Sequence, residues 1–114
     1  SEIGYVYLLK AEYNKATDYF KQSLRYDPSY RYSLANMGWC LVQLGKNNDA
    51  VPYLEKAHND NSDYAWPAGY LGWLYENKFQ DTNKALYWYG EALKRDPNNQ
   101  DYRNAYNRLS GNYR

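Results

Sequence analysis

Large aromatic side chains recur in this sequence at an interval of 34 residues. Tyr5, Trp39 and Trp73 form one column at this interval, and Tyr32 and Trp66 form a second pair. Rigid rings bury a large area for few torsions, so they are enriched at binding hot spots. They could hold apolar, aromatic or proline-containing side chains of an extended peptide, or stack on sugar rings. The competing hypothesis is that the rings only pack between neighbouring helices.

Residue types that carry out catalysis or bind metals are too scarce to form a site. His58 is the only histidine and Cys40 is the only cysteine. His58 stands where other units have leucine, so we expect it to be half-buried, and Cys40 stands at a small, buried apolar position. A metal site needs clustered ligands and a reactive thiolate needs a neighbouring base, and neither pattern is present. The sequence therefore predicts no enzyme, no cofactor and no metal.

The composition favours one folded domain without a strongly charged surface. The 114 residues carry a net charge of +1, whereas binders of nucleic acids or anionic membranes usually have a basic excess. No apolar run approaches the ~20 residues of a membrane span. The chain starts at Ser1, directly in a helical pattern, so we expect a piece of a longer protein and predict no compartment.

Small and large side chains follow the same interval as the rings. Each unit has a glycine, an alanine 12 or 13 residues later, and a bulky residue four positions after the alanine. The sets are Gly4, Ala16 and Phe20; Gly38, Ala50 and Leu54; and Gly72, Ala85 and Tyr89. Facing glycine and alanine would let two antiparallel helices approach closely, with large neighbours on either side. A fixed helical period of this kind is typical of a stacked array.

Apolar spacing and helix-end signals predict two helices in each unit and one more at the end. The predicted ranges are Glu2–Lys10, Tyr30–Leu44 and Trp66–Lys78 for the first helices, Asn14–Tyr26, Asn48–Asn59 and Thr82–Arg95 for the second, and about Asn99–Leu109 for the last. Gly45 is predicted to end a helix. Asn47 or Asn48, and Asp81 or Thr82, are predicted N-caps. The extra residue of the third unit is expected between the helices, where insertions cost least.

These residues resemble the tetratricopeptide repeat, whose pattern is W-x2-L-G-x2-Y, then A-x3-F, then P. The three copies read Ile3-Gly4-x2-Tyr7, Ala16-x3-Phe20, Pro28; Leu34-x2-Met37-Gly38-x2-Leu41, Ala50-x3-Leu54, Ser62; and Ala68-x2-Leu71-Gly72-x2-Tyr75, Ala85-x3-Tyr89, Pro97. The match covers nearly the whole chain. It departs from the pattern at Leu34 and Ala68, which take the tryptophan slot, and at Ser62, which takes the proline slot.

The resemblance implies an all-α, right-handed superhelix of three helix-turn-helix repeats, at about 1–29, 30–63 and 64–98, with a capping helix at about 99–110. Together they would form a single domain spanning residues 1–114. It also implies a concave groove, lined by the first helices, that binds a peptide or partner protein without chemistry of its own. Carried over onto this sequence, the groove predicts these partner-binding residues: Tyr5, Tyr32, Asn36, Trp39, Trp66, Tyr70, Trp73, Asn77 and Arg108.

Some members of this family clamp the terminal carboxylates of a peptide with lysines, an arginine and asparagines. Only Asn36 matches that set here, because the slots that need cations hold Ser1, Trp66 and Tyr70. Neutral groups cannot neutralise two carboxylates. The sequence therefore predicts no preference for chaperone-type acidic C-termini.

Other functions stay open from the sequence alone. The chain could be a structural or assembly segment that extends a longer solenoid or associates with itself through Ile3, Tyr7 and their neighbours. Glycan stacking on the tryptophans is a further alternative. RNA binding is disfavoured by the charge balance. The partner and the biological process cannot be read from these residues.

Overall fold

The computed structural model describes residues 12–59 and 63–111, and every regular element in these ranges is an α-helix. The helices are α1 (Tyr13–Tyr26), α2 (Arg31–Gln43), α3 (Asn47–Asn59), α4 (Trp66–Asn77), α5 (Thr82–Arg95) and α6 (Gln100–Ser110). Each predicted end agrees to within one residue, and the all-α fold is confirmed. The predicted helix Glu2–Lys10 lies outside the described residues. Within the described ranges, none of the helices combines the length and apolar character that a membrane crossing requires.

The chain divides into two compact units, Ser1–Asp60 (unit 1) and Asn61–Arg114 (unit 2). In unit 1, α2 packs against both α1 and α3. In unit 2, α5 packs against both α4 and α6. In the part of each unit that the structure describes, one helical pair of the repeat, α2 with α3 or α4 with α5, is accompanied by a third helix. The division into three repeats and a cap stays a prediction.

The turn between α2 and α3 is a tight helix-ending motif. The backbone N–H of Gly45 donates to the carbonyl of Val42 at 2.9 Å, and that of Lys46 donates to Leu41 at 2.8 Å. Gly45 has φ +79°, a left-handed conformation that glycine adopts without strain. The predicted role of Gly45 is therefore confirmed.

The same motif explains why the predicted cap at Asn47 or Asn48 is wrong. Because the turn closes so early, α3 begins at Asn47 and Lys46 takes the preceding position, where its carbonyl accepts from the N–H of Ala50. The Asn47 Oδ1 atom is buried without a hydrogen-bond partner. Asp81 does cap α5, as predicted, by accepting from the N–H of Lys84 at 3.1 Å.

The extra residue of the third unit lies where it was expected. Residues 44–46 connect α2 with α3, whereas residues 78–81 connect α4 with α5. In the longer turn, Gln80 has φ +53°, so a non-glycine residue takes the left-handed conformation there. The insertion leaves the two helices of the pair intact.

The repeated spacing of small and large residues creates close contacts between paired helices. A Cβ atom built on Gly38 would lie 2.6 Å from Leu54 Cγ, and one built on Gly72 would lie 2.7 Å from Tyr89 Cδ1. The space beside each glycine is thus occupied by the bulky residue four positions after the alanine. The alanine is not the nearest neighbour of the glycine. Leu54 and Tyr89 are buried as a result.

Helix α6 covers unit 2 with a row of aromatic and aliphatic side chains. Tyr102, Ala105, Tyr106 and Leu109 pack on a cluster that includes Ala85 and Tyr89 of α5. Tyr102 also reaches α4, where a Cβ atom on Gly69 would overlap its ring. The Tyr102 ring therefore covers this part of α4.

Gly72→Ala and Gly90→Ala form a matched pair that tests these contacts. Alanine is favoured over glycine inside a helix by about 0.5–1 kcal/mol. At Gly90 the new methyl meets only Tyr106 Cε2, at 3.5 Å, so we expect stabilisation of that size. At Gly72 it collides with the buried Tyr89 ring, so we expect a net loss of about 1–3 kcal/mol. Urea unfolding followed by circular dichroism measures both, and equal effects would contradict the packing described.

Candidate functional site

Three aromatic rings are stacked along one face of α4. Trp66, Tyr70 and Trp73 are four and three residues apart, which places them on the same side of a helix. The ring centroids of Trp66 and Tyr70 are 4.8 Å apart with planes inclined by 15°, and those of Tyr70 and Trp73 are 5.5 Å apart and inclined by 3°. We call these three residues the ring ladder.

The ring ladder is accessible at its Trp73 end. Trp73 is 39% exposed, whereas Trp66 and Tyr70 are half-buried. The Lys78 ammonium lies 5.6 Å from the centre of a Trp73 ring. Asn77 Nδ2 donates to the Trp73 carbonyl at 3.0 Å, so this amide is oriented by its own helix. Its carbonyl oxygen remains able to accept from a partner's backbone.

Beside the ring ladder, unit 2 has a cavity of about 550 Å³. Side chains of α4, α5 and α6 line it. The lining residues are Gly69, Trp73, Glu76, Asn77, Tyr89, Asp101, Tyr102, Ala105 and Arg108. The structure therefore brings together three of the predicted residues, Trp73, Asn77 and Arg108, in unit 2.

Arg108 is paired inside this cavity. Its guanidinium forms an ion pair with Glu76, whose other carboxylate oxygen accepts from the Tyr89 hydroxyl at 3.0 Å. The hydrogen bond from Arg108 holds the pKa of Glu76 below its ordinary value, and burial raises the pKa of Tyr89. A partner would therefore meet Arg108 already engaged. Sequence reasoning missed Glu76, because no local pattern links it to an arginine 32 residues away.

In unit 1, the predicted residues Tyr32, Asn36 and Trp39 share one face of α2, in the same spacing as the ring ladder. Tyr32 is 43% exposed and its ring lies 4.9 Å from the Arg31 guanidinium. Trp39 is half-buried and meets the Tyr13 ring edge-on at 5.5 Å. Asn36 is half-buried between them. Tyr5 lies outside the described residues, as do Ile3 and Tyr7, on which the self-association hypothesis depends.

Cys40 and His58 are both deep in unit 1. Cys40 is fully buried, and burial raises the pKa of its thiol to about 12, so it is protonated at neutral pH. His58 is 5% exposed and is therefore more deeply buried than the sequence suggested. Among the residues that the structure describes, no group of three His, Cys, Asp or Glu side chains is placed to hold a metal ion.

The comparison with known families decides what kind of repeat this is. The family model described as tetratricopeptide repeat matches residues 2–30 and 32–57. The chain belongs to the tetratricopeptide repeat family. It is therefore a helical-repeat, protein-binding domain.

Curated relatives extend well beyond this chain. It is 35% identical over 98 residues to the STIP1 homolog of Dictyostelium discoideum, a match that covers 82% of this chain and 16% of that protein. It is 27% identical over 109 residues to an Hsp70-Hsp90 organising protein of Plasmodium falciparum, covering 95% of this chain and 42% of the relative. The chain thus spans less than half the length of these relatives.

A solved tetratricopeptide repeat domain shares the fold. The first such domain of Spaghetti (RPAP3), bound to the HSP90 peptide SRMEEVD, superposes with a TM-score of 0.86. The match covers 97% of this chain and 87% of that one at 22% sequence identity. At that identity the likeness establishes the helical-repeat fold alone. The ligand of this chain has to be argued from its own residues.

The Glu76–Arg108 pair predicts a specific acid sensitivity. Because the folded-state pKa of Glu76 is lowered from 4.5, the pair stabilises the fold above that pH and is lost as the pH falls through the lowered value. Glu76→Gln should therefore reduce the free energy of unfolding at pH 7 by about 1 kcal/mol and flatten its decline below pH 4.5. Denaturant melts between pH 3 and pH 7 measure this. Glu55→Gln, which makes the same change in unit 1, is the control, and identical profiles for the two variants would contradict the assignment.

Proposed function

We propose that this domain binds extended segments of a partner protein through the aromatic face of α2 in unit 1 and the aromatic face of α4 in unit 2. The predicted contact residues are Tyr32, Asn36 and Trp39 in unit 1 and the ring ladder with Asn77 in unit 2. Tyr5 and Arg108 complete the proposed set, Tyr5 by its place in the aromatic column and Arg108 by its place in the unit 2 cavity.

The observation that carries this proposal is the exposure of the ring ladder. Trp73, at one end of the ladder, leaves 39% of its surface open to solvent. Flat, rigid rings in solvent bind apolar, aromatic and proline side chains with little loss of side-chain entropy. A purely structural role would require the rings to be covered by their neighbours.

Polar groups beside the rings suit an extended backbone. Side-chain amides such as Asn36 and Asn77 offer both donors and acceptors to the peptide groups of a bound segment. The unit 2 cavity contains two carboxylates, Glu76 and Asp101, and one guanidinium, Arg108. This balance favours a neutral or basic segment over an acidic one.

We expect this domain to differ from its structural neighbour in how it treats the terminal carboxylates of the peptide SRMEEVD. Trp66 and Tyr70 occupy positions that would need cations to hold terminal carboxylates, and their rings are stacked in the ladder. We therefore expect the free-acid peptide SRMEEVD to bind no more than about twofold tighter than its C-terminally amidated form. Isothermal titration of both forms measures the ratio. A preference for the free acid of tenfold or more would contradict the proposed chemistry.

Loss of two rings should remove binding without unfolding the domain. Peptides selected by the wild-type domain from a phage-displayed library provide the probe, and we expect Trp39→Ala with Trp73→Ala to weaken the best one by at least about 30-fold, since hot-spot truncations cost ~2 kcal/mol or more. Tyr26→Ala is the matched control, because Tyr26 is 94% exposed and lies outside the proposed surface. Helical circular dichroism must persist in all variants. Unchanged affinity in the double variant would refute the assignment.

A further inference from the structure

Unit 1 has an open cavity of about 450 Å³ between α1 and α3, whose lining includes none of the aromatic-face residues of α2. Five apolar side chains contribute to its lining: Leu24, Pro28, Leu34, Pro52 and Tyr53. The volume is within the ~300–1,000 Å³ that is usual for ligand pockets. Nothing in the proposed function makes use of it.

One residue that lines this cavity, Leu34, departs from the repeat pattern. Leu34 is only 2% exposed and stands where the repeat pattern carries a tryptophan. Because leucine fills less space than an indole, the cavity is deeper than a sequence following the pattern would leave it. Pro52 contributes a rigid wall on α3.

Cations surround the apolar lining, and the lining residues include no carboxylate. Lys21 and Arg25 are one turn apart on α1, and Lys56 lies on α3. All three are exposed, and none forms an ion pair within the described part of the chain. Like charges grouped around a cleft produce a positive potential that attracts and orients an anionic partner. We call these three cations and five apolar residues the basic pocket.

We propose that the basic pocket binds an acidic partner segment, with a bulky apolar side chain in the cavity and carboxylates on either side of it. The cations are distributed over two helices and along one of them, so they match charges spaced along a chain better than one phosphate or sulfate. The carboxylates need not be terminal. This site shares no residue with the aromatic face of α2, nor with the unit 2 cavity, whose charges favour a neutral or basic segment.

A fluorescein-labelled peptide with amidated C-terminus, Glu-Asp-Leu-Phe-Glu-Asp, is a suitable probe. We expect saturable binding by fluorescence anisotropy at low salt, weakened progressively as ionic strength rises. The neutral peptide Gln-Asn-Leu-Phe-Gln-Asn keeps the apolar side chains and should bind at least about tenfold more weakly. Equal binding of the two peptides would overturn the proposal, as would the absence of binding by the acidic probe.

Three variants locate the binding. Lys21→Glu with Lys56→Glu should reduce affinity for the acidic probe by about 30-fold or more, and Leu34→Trp should do so by filling the cavity. Lys46→Glu changes an exposed lysine of the same unit outside the pocket and should have an effect below about threefold. Circular dichroism confirms that each variant is folded. If the charge reversal and Leu34→Trp both leave affinity unchanged, the probe binds elsewhere and the proposal fails.

Two further measurements distinguish this proposal from binding at the aromatic faces and from self-association of the chain. Trp39→Ala with Trp73→Ala should retain wild-type affinity for the acidic probe, so this site stands or falls independently of the aromatic one. Light scattering should show no association that depends on Lys21 and Lys56. A dimer dissolved by their reversal would mean that a second copy of the chain occupies the pocket, and would overturn the assignment of an acidic partner segment.

Discussion

The close approach of paired helices at a glycine is the constraint on which both units depend. Gly38 and Gly72 have no side chain, so Leu54 and Tyr89 pack directly against the backbone of the opposite helix. An added methyl would have to displace these buried side chains from their packed positions. This contact fixes the separation of each pair and the rotation of α2 and α4 about their axes.

Once that rotation is set, the faces of these helices have fixed roles. Gly72 of α4 faces Tyr89 of α5, and Gly38 of α2 faces Leu54 of α3. The residue before each glycine, Leu71 or Met37, is buried. Another face of α4 carries the ring ladder. In α2 the corresponding positions carry Tyr32, Asn36 and Trp39. Because the sequence period repeats the small residue and the rings together, each unit presents its aromatic groups in the same relation to its core.

The sequence predicted what depends on local spacing and missed what depends on tertiary contacts. Helix ends were accurate because Gly45, Asp81 and the apolar periodicity act within a few residues. Asn47 failed as a cap because the tight turn at Gly45 starts α3 earlier than side-chain preference alone suggests. The Glu76–Arg108 pair and the cover of Tyr102 over Gly69 join residues about one repeat apart, and their existence follows from how α6 packs on unit 2. The candidate aromatic residues were found because they repeat, whereas the basic pocket has no periodic signature.

The central claim is that surface rings, and not the buried core, meet the partner. The chain has four tryptophans, and Trp88 is 8% exposed and provides an internal reference. The domain is titrated with a peptide selected for binding to it and followed by ¹H–¹⁵N spectra. The indole N–H signals of Trp39, Trp66 and Trp73 should shift while that of Trp88 stays in place. Shifts confined to Trp88, or no indole shift at saturation, would contradict the account.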